Sequence, residues 1–152
     1  MTSQTQDDPV VGSYGHGKAL DILASSRPAN IKAFAEELLE TLGDVSVLSN
    51  RTGLAMLPFK DTVKGTDFHL GEVLISEAHI RLPVQDVEGY GAIVGRDLEH
   101  AMAMAIIDAS MFAKHMESRI VGFLDDECGA QEESDRQRLR QVEATRVLME
   151  TF

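Results

Sequence analysis

Glu77, His79 and Arg81 stand at alternate positions of one segment. On a β-strand, residues two apart share a face, so a carboxylate, an imidazole and a guanidinium would point the same way. Such a row can bind an anion or move a proton. It is equally the wet face of an antiparallel sheet, because the opposite face carries Leu74, Ser76, Ala78, Ile80 and Leu82, a core pattern. Arg96 offers a second anion site, its guanidinium beside the free N–H groups that open a helix. The competing reading there is a strand-to-helix turn capped by Asp97. Asp108 interrupts an apolar helix between Ile107 and Ala109. An unpaired carboxylate in that setting is costly, so it calls for an arginine within the fold or a basic residue on a partner.

Other chemistry is missing from the chain. No serine sits in a Gly-x-Ser-x-Gly setting. Cys128, the single cysteine, has Asp125, Asp126 and Glu127 beside it, which hinders thiolate formation. There is no His-Glu-x-x-His pattern, and His69 and His79 lie ten residues apart. His100 and His115, placed on one helix, would be about 22 Å apart along its axis. The residues therefore supply no catalytic set and no metal site.

The formal charge of −11 over 152 residues works against nucleic acid and anionic membrane surfaces, both of which need a basic footprint. No apolar run reaches the eighteen residues of a spanning helix, and Met1 to Val10 is polar and acidic, unlike a secretory signal. A cytoplasmic protein is the expectation.

These side chains need elements to position them, and the periodicities predict an α+β order. Residues 1–12 form a flexible N-terminus. A core domain over 13–124 opens with a short helix around Leu20–Ala24 and a second over Pro28–Leu42. In the second, Ile31, Phe34, Ala35, Leu38, Leu39 and Leu42 make one stripe, and Gly43 stops the helix. An antiparallel meander of about four strands follows: Val45–Ser49, a turn at Asn50–Gly53, Leu54–Phe59, about Leu70–Leu82, and Gly89–Val94. Pro58 assigns its strand to an edge or an end. Asp97 then caps a third helix so apolar around Ala101–Ile107 that it must be buried, by its own sheet or also by another subunit. Residues 125–131 read as an acidic linker, and 132–152 as a C-terminal docking helix. Two functional readings follow from the residues alone. One is a stand-alone anion binder or small enzyme using Glu77, His79 and Arg81; the other is a homodimeric adaptor burying the apolar and last helices.

A set of short motifs, in order along the chain, resembles the G subunit of the carbon–phosphorus lyase core complex. Gly53-Leu54-Ala55-Met56 is similar to that family's Gly-Leu-Val-Met strand, and Leu70-Gly71-Glu72 to its Leu-Gly-Glu segment. Gly91 to Asp97, Gly-Ala-Ile-Val-Gly-Arg-Asp, resembles its Gly-x-x-x-Gly-Arg-Asp signature. Ala101, Ala105, Asp108 and Ala109 match its alanine-rich helix, and Ala144-Thr145-Arg146-Val147 matches its last helix. The family's first helix usually carries an aromatic residue, often tryptophan, and this chain has no tryptophan. The resemblance implies a non-catalytic assembly subunit in phosphonate catabolism, partnered by the H, I and J subunits, with L for the synthase step. That step displaces adenine from ATP by a phosphonate, giving ribose 1-phosphonate 5-triphosphate. The nucleosidase-like chemistry is assigned to I and the iron–sulfur cluster to J, which implies no cofactor in this chain.

Overall fold

The computed structural model describes residues 7–146. Among them the architecture is α+β, with four helices and two antiparallel sheets. A two-residue hairpin, β1 (Val10–Val11) and β2 (Tyr14–Gly15), leads into α1 (His16–Ala24) and α2 (Pro28–Leu42). The main sheet is β3 (Ser46–Lys60), β4 (Asp67–Leu82) and β5 (Val87–Val94), in that spatial order. Two helices close the fold, α3 (Leu98–Phe112) and α4 (Glu117–Ala144). No helix of the described residues is long and apolar enough to cross a membrane.

The local reasons are readable. Pro28 occupies the first turn of α2, where its missing N–H has no helical partner to lose, and Gly43 ends the helix at φ +89°. Ile31, Phe34, Ala35, Leu38 and Leu42 are the buried stripe, whereas Leu39, expected in it, lies at its margin and is exposed. Asp97 caps α3 by accepting from the His100 amide at 2.9 Å. Behind the cap, the buried Ser76 hydroxyl donates to the Gly95 carbonyl (2.8 Å) and accepts from the Asp97 amide (3.0 Å).

Several expectations need correction. The sheet has three strands, because the predicted first and second strands are one. Asn50–Gly53 does not turn: Asn50, Arg51, Thr52 and Gly53 pair with Ala78, Glu77, Ser76 and Ile75 of the long β4. The turn signature yields to a continuous ladder, with register shifts at Val47/Ser49 and at Leu57/Pro58. Pro58 does lie on an edge strand, beside the second shift. The 125–131 linker is the middle of α4, and Glu127 there is buried as deeply as Ile120 and Leu124. Within residues 1–12, Val10 and Val11 form a strand and Val11 is in the core, whereas residues 1–6 lie outside the described part. The docking helix starts within α4 rather than at 132, and its predicted apolar residues Val147, Leu148, Met149 and Phe152 lie outside the described residues. His115 is not helical; it sits in the α3–α4 turn, between Lys114 and Met116 at positive φ.

The third helix is covered from within the chain. It packs on β4 and β5, with α2, α1 and α4 over its other sides. From His100 to Met111 every residue but Met102 is buried. Its seat on β5 depends on two glycines. A Cβ at Gly89 would lie 2.2 Å from the Ala105 carbonyl oxygen, and one at Gly91 would lie 2.3 Å from that of Ala101. Ala101, Ala105 and Ala109 recur at four-residue intervals, so the helix presents its smallest stripe to the two strand positions that have no side chains.

That contact makes a two-sided prediction. Gly91→Ala forces backbone against backbone and is expected to destabilise by about 1–3 kcal/mol, as overpacking does. Gly129→Ala, at an exposed site of α4 with nothing within 4 Å of the new Cβ, is expected to stabilise by roughly 0.5–1 kcal/mol. Urea midpoints of the two variants decide it; equal effects would mean that α3 does not sit so close to β5.

Candidate functional site

The register of the sheet puts Glu77, His79 and Arg81 on one face, as their spacing predicts, and α3 covers the opposite face. The structure also supplies what the spacing could not, namely their partners. Glu77 accepts from the Arg51 guanidinium of β3 and from the Tyr90 hydroxyl of β5, the latter at 2.6 Å. His79 Nε2 lies 2.8 Å from a Glu88 carboxylate oxygen, and its ring meets Tyr90 edge-on. Arg81 donates to Asp86 in the β4–β5 turn. The Tyr90 hydroxyl and the Arg51 guanidinium hold the Glu77 carboxyl below its ordinary range, and Glu77 in turn raises the Tyr90 phenol.

Every charge in this row is thus matched by an opposite charge from a neighbouring strand or turn. Cross-strand pairs of this kind knit a sheet together and leave each carboxylate with its lone pairs engaged. Arg51, Tyr90 and Glu88 were invisible from the sequence because cross-strand neighbours depend on register. Only the short β4–β5 connection, Pro83 to Asp86, hinted that Glu88 returns alongside.

Arg96 is exposed at the turn into α3 and enters no ion pair among the described residues. The helix start beside it is already occupied by the Asp97 carboxylate, which also takes Lys32 at 3.1 Å. The His100 amide is the main reason that carboxylate is held below its usual range, with Lys32 adding to it.

Asp108 is buried and finds neither an arginine nor a surface partner. One oxygen lies 2.6 Å from His16 Nε2, and the other accepts from the Tyr90 amide at 2.9 Å. β5 is an edge strand, and Asp108 satisfies one of its amides. Burial raises the Asp108 carboxyl, against the opposing pull of the Tyr90 amide and His16. His16, at the start of α1, had no periodic or motif signal to mark it.

A second buried carboxylate, Glu127 of α4, was also missed. It accepts from the Arg27 amide (3.0 Å), from the Arg27 guanidinium (2.7 Å) and from the Asn30 side chain (2.9 Å). Burial alone would raise it, but these donors together hold it below its ordinary range. The signal was present: Ile120, Leu124 and Glu127 continue one helical stripe. A cleft of about 460 Å³ adjoins this pair, lined by Ser25, Arg27, Gln131, Ser134, Asp135 and Arg138. Neither it nor the two smaller clefts include Glu77, His79, Arg81 or Asp108. Among the described residues no cluster of three or more His, Cys, Asp or Glu is placed to hold a metal.

The Asp108 geometry predicts a pH signature. A carboxyl raised on folding lends its full stability below its ordinary value of 3.8 and loses it as pH climbs through the folded value. Asp108→Asn keeps an acceptor for the Tyr90 amide and offers a donor to His16 without carrying charge. Its melting temperature relative to the parent is therefore expected to improve from pH 3.5 to pH 7; a flat or falling difference would count against the assignment. Asp108→Ala leaves the Tyr90 amide and His16 unpartnered and is expected to cost about 1–3 kcal/mol at either pH.

With the geometry in hand, comparison with known proteins places the chain. A family model described as phosphonate metabolism protein PhnG matches residues 17–152. A protein of Rhizobium meliloti (strain 1021), named alpha-D-ribose 1-methylphosphonate 5-triphosphate synthase subunit PhnG, is 31% identical over 147 residues. That alignment covers 95% of this chain and 91% of the relative. The match takes in the sheet, the capped Gly95-Arg96-Asp97 turn, α3 with Asp108, and α4. The chain belongs to the phosphonate metabolism protein PhnG family.

Proposed function

We propose that this chain is a non-catalytic assembly subunit of the carbon–phosphorus lyase core complex. In that role it supports the formation of ribose 1-phosphonate 5-triphosphate from ATP and an alkylphosphonate, in the cytoplasm. Its partners are the H, I and J subunits, with L joining for the synthase step, and the chain itself carries no cofactor. The observation that carries this reading is the family match over 17–152, together with a relative whose name makes it a synthase subunit.

The side chains support it. Catalysis by the sheet face needs a base or nucleophile free to meet substrate, yet Glu77, His79 and Arg81 are each held by Arg51 and Tyr90, Glu88, and Asp86. Asp108 is enclosed beneath His16 and β5, where it fastens elements together. A subunit that positions others needs rigidity, and these interactions supply it.

Co-expression with the I and H subunits, followed by size-exclusion chromatography with mass determination, tests the reading. The expected result is a stoichiometric complex containing this chain, with synthase activity lost when the chain is omitted. Glu77→Gln and His79→Gln are expected to leave the turnover of the assembled complex within about threefold of the parent, a small barrier change by comparison with loss of an acid–base group. Turnover by the isolated chain, or a fall of a hundredfold or more in those variants, would mean that the face is catalytic.

A further inference from the structure

The main sheet is three strands wide only at its root. β5 ends opposite Ile75, where Val94 is its last paired residue, and Gly95 then turns the chain away towards α3. Beyond that point β3 and β4 continue as a two-stranded ribbon, from the Gly53–Ile75 pair to the Lys60–Asp67 pair. A two-stranded hairpin is marginal in water by itself, and both of its edges offer unpaired backbone groups. This one is also apolar. Leu54, Met56, Leu57, Phe59, Phe68 and Leu70 are 38% to 65% exposed. They lie on both faces of the ribbon, since neighbours along a strand alternate. Apolar side chains clustered so far from a core mark a surface that is covered in the working assembly.

Charge indicates what covers it. Within residues 53–75, Lys60 and Lys64 stand against Asp61, Asp67 and Glu72, a net charge of −1. The chain as a whole carries −11, so nearly all of that excess lies outside the arm. A second copy would bring another −11 chain against the first, and its slightly acidic arm would offer nothing to offset the repulsion. A partner with a basic surround gains from the same field. We propose that residues 53–75 form a docking arm that inserts into an apolar groove of another synthase subunit. That groove is flanked by basic side chains, and one of its strands pairs with an open edge of the arm. The inference rests on the subunit reading above and names the surface that reading requires.

Two variants test it with the co-expressed H, I and J subunits. Leu54→Lys with Leu70→Lys changes two well-exposed side chains of the arm. Replacing residues 56–72 by Asn-Gly closes the hairpin at the Ala55–Val73 pair with a two-residue turn. Both are expected to melt like the parent and to bind the partner subunits at least tenfold more weakly. Binding of the parent should weaken as salt rises, and amides of the arm should gain protection from hydrogen exchange in the complex. Unchanged binding by both variants overturns the arm while leaving the subunit reading intact. An isolated parent chain that dimerises through the arm, with the double variant monomeric, overturns it in favour of a second copy. If the parent binds none of the subunits, the subunit reading itself falls and takes the arm with it.

Discussion

Two glycines of β5 let the backbone of α3 lie directly on the strand, and most of the fold is arranged around that contact. With Gly89 and Gly91 below and Ala101, Ala105 and Ala109 above, no side chain larger than a methyl separates helix from strand. This distance brings the Asp108 carboxylate within reach of the Tyr90 amide, so an edge-strand donor that would otherwise need water is satisfied from the helix. It also fixes where the helix must begin. The Gly95-Arg96-Asp97 turn has to lift the chain off the sheet within three residues. Gly95 at φ +106° makes that turn, and Ser76 beneath it bonds both Gly95 and Asp97. Once seated, α3 offers its remaining apolar sides to α1, α2 and α4, which is why a helix apolar all round has no free face.

Two buried carboxylates then tie the ends of the chain together. Asp108 reaches back to His16, and Glu127 reaches back to Arg27 and Asn30. Each is fully hydrogen-bonded, and among the described residues no buried side-chain polar atom lacks a partner. Taking such charges out of water offsets much of what their pairing contributes, so well-packed apolar substitutes would hold the same elements as firmly. What the carboxylates add is register. An apolar contact tolerates sliding, whereas a carboxylate with two or three aligned donors does not. They set α1 on α3 and the α1–α2 turn on α4.

What the sequence disclosed follows the same division between local and distant causes. The stripe of α2 apart from Leu39, the terminators of that helix, the cap of α3 and the two faces of β4 are properties of neighbours in sequence, and each matches the structure. The errors arose where a local signal met a stronger distant one. Asn50-Arg51-Thr52-Gly53 has the composition of a turn, yet a sixteen-residue β4 beside it supplies a ladder that a straight strand can fill. Asp125-Asp126-Glu127 has the composition of a linker, yet only Asp125 and Asp126 face water; the third acid lies on the buried stripe and meets Arg27 from a hundred residues away. The candidate residues were found on the right face, but their partners Arg51, Tyr90 and Glu88 depend on a register that no single strand encodes.

The distribution of satisfied and unsatisfied groups separates two kinds of surface. Over the body, the sheet face, the cap of α3 and both buried acids are closed systems whose polar side chains find partners within the chain. Away from the body, two projections break that rule. One is the outer β3–β4 ribbon; the other is the second half of α4, where Leu139 and Val142 stand 68% and 60% exposed. A fold so complete in its internal bonding had the means to place polar residues at these positions. It places leucine, methionine, phenylalanine and valine instead, in elements longer than the core needs. Substrate chemistry requires unsatisfied polar groups held rigidly in a concave site, whereas assembly requires unsatisfied apolar groups on convex ones. Among the described residues, the outer ribbon and the second half of α4 present the apolar, convex kind.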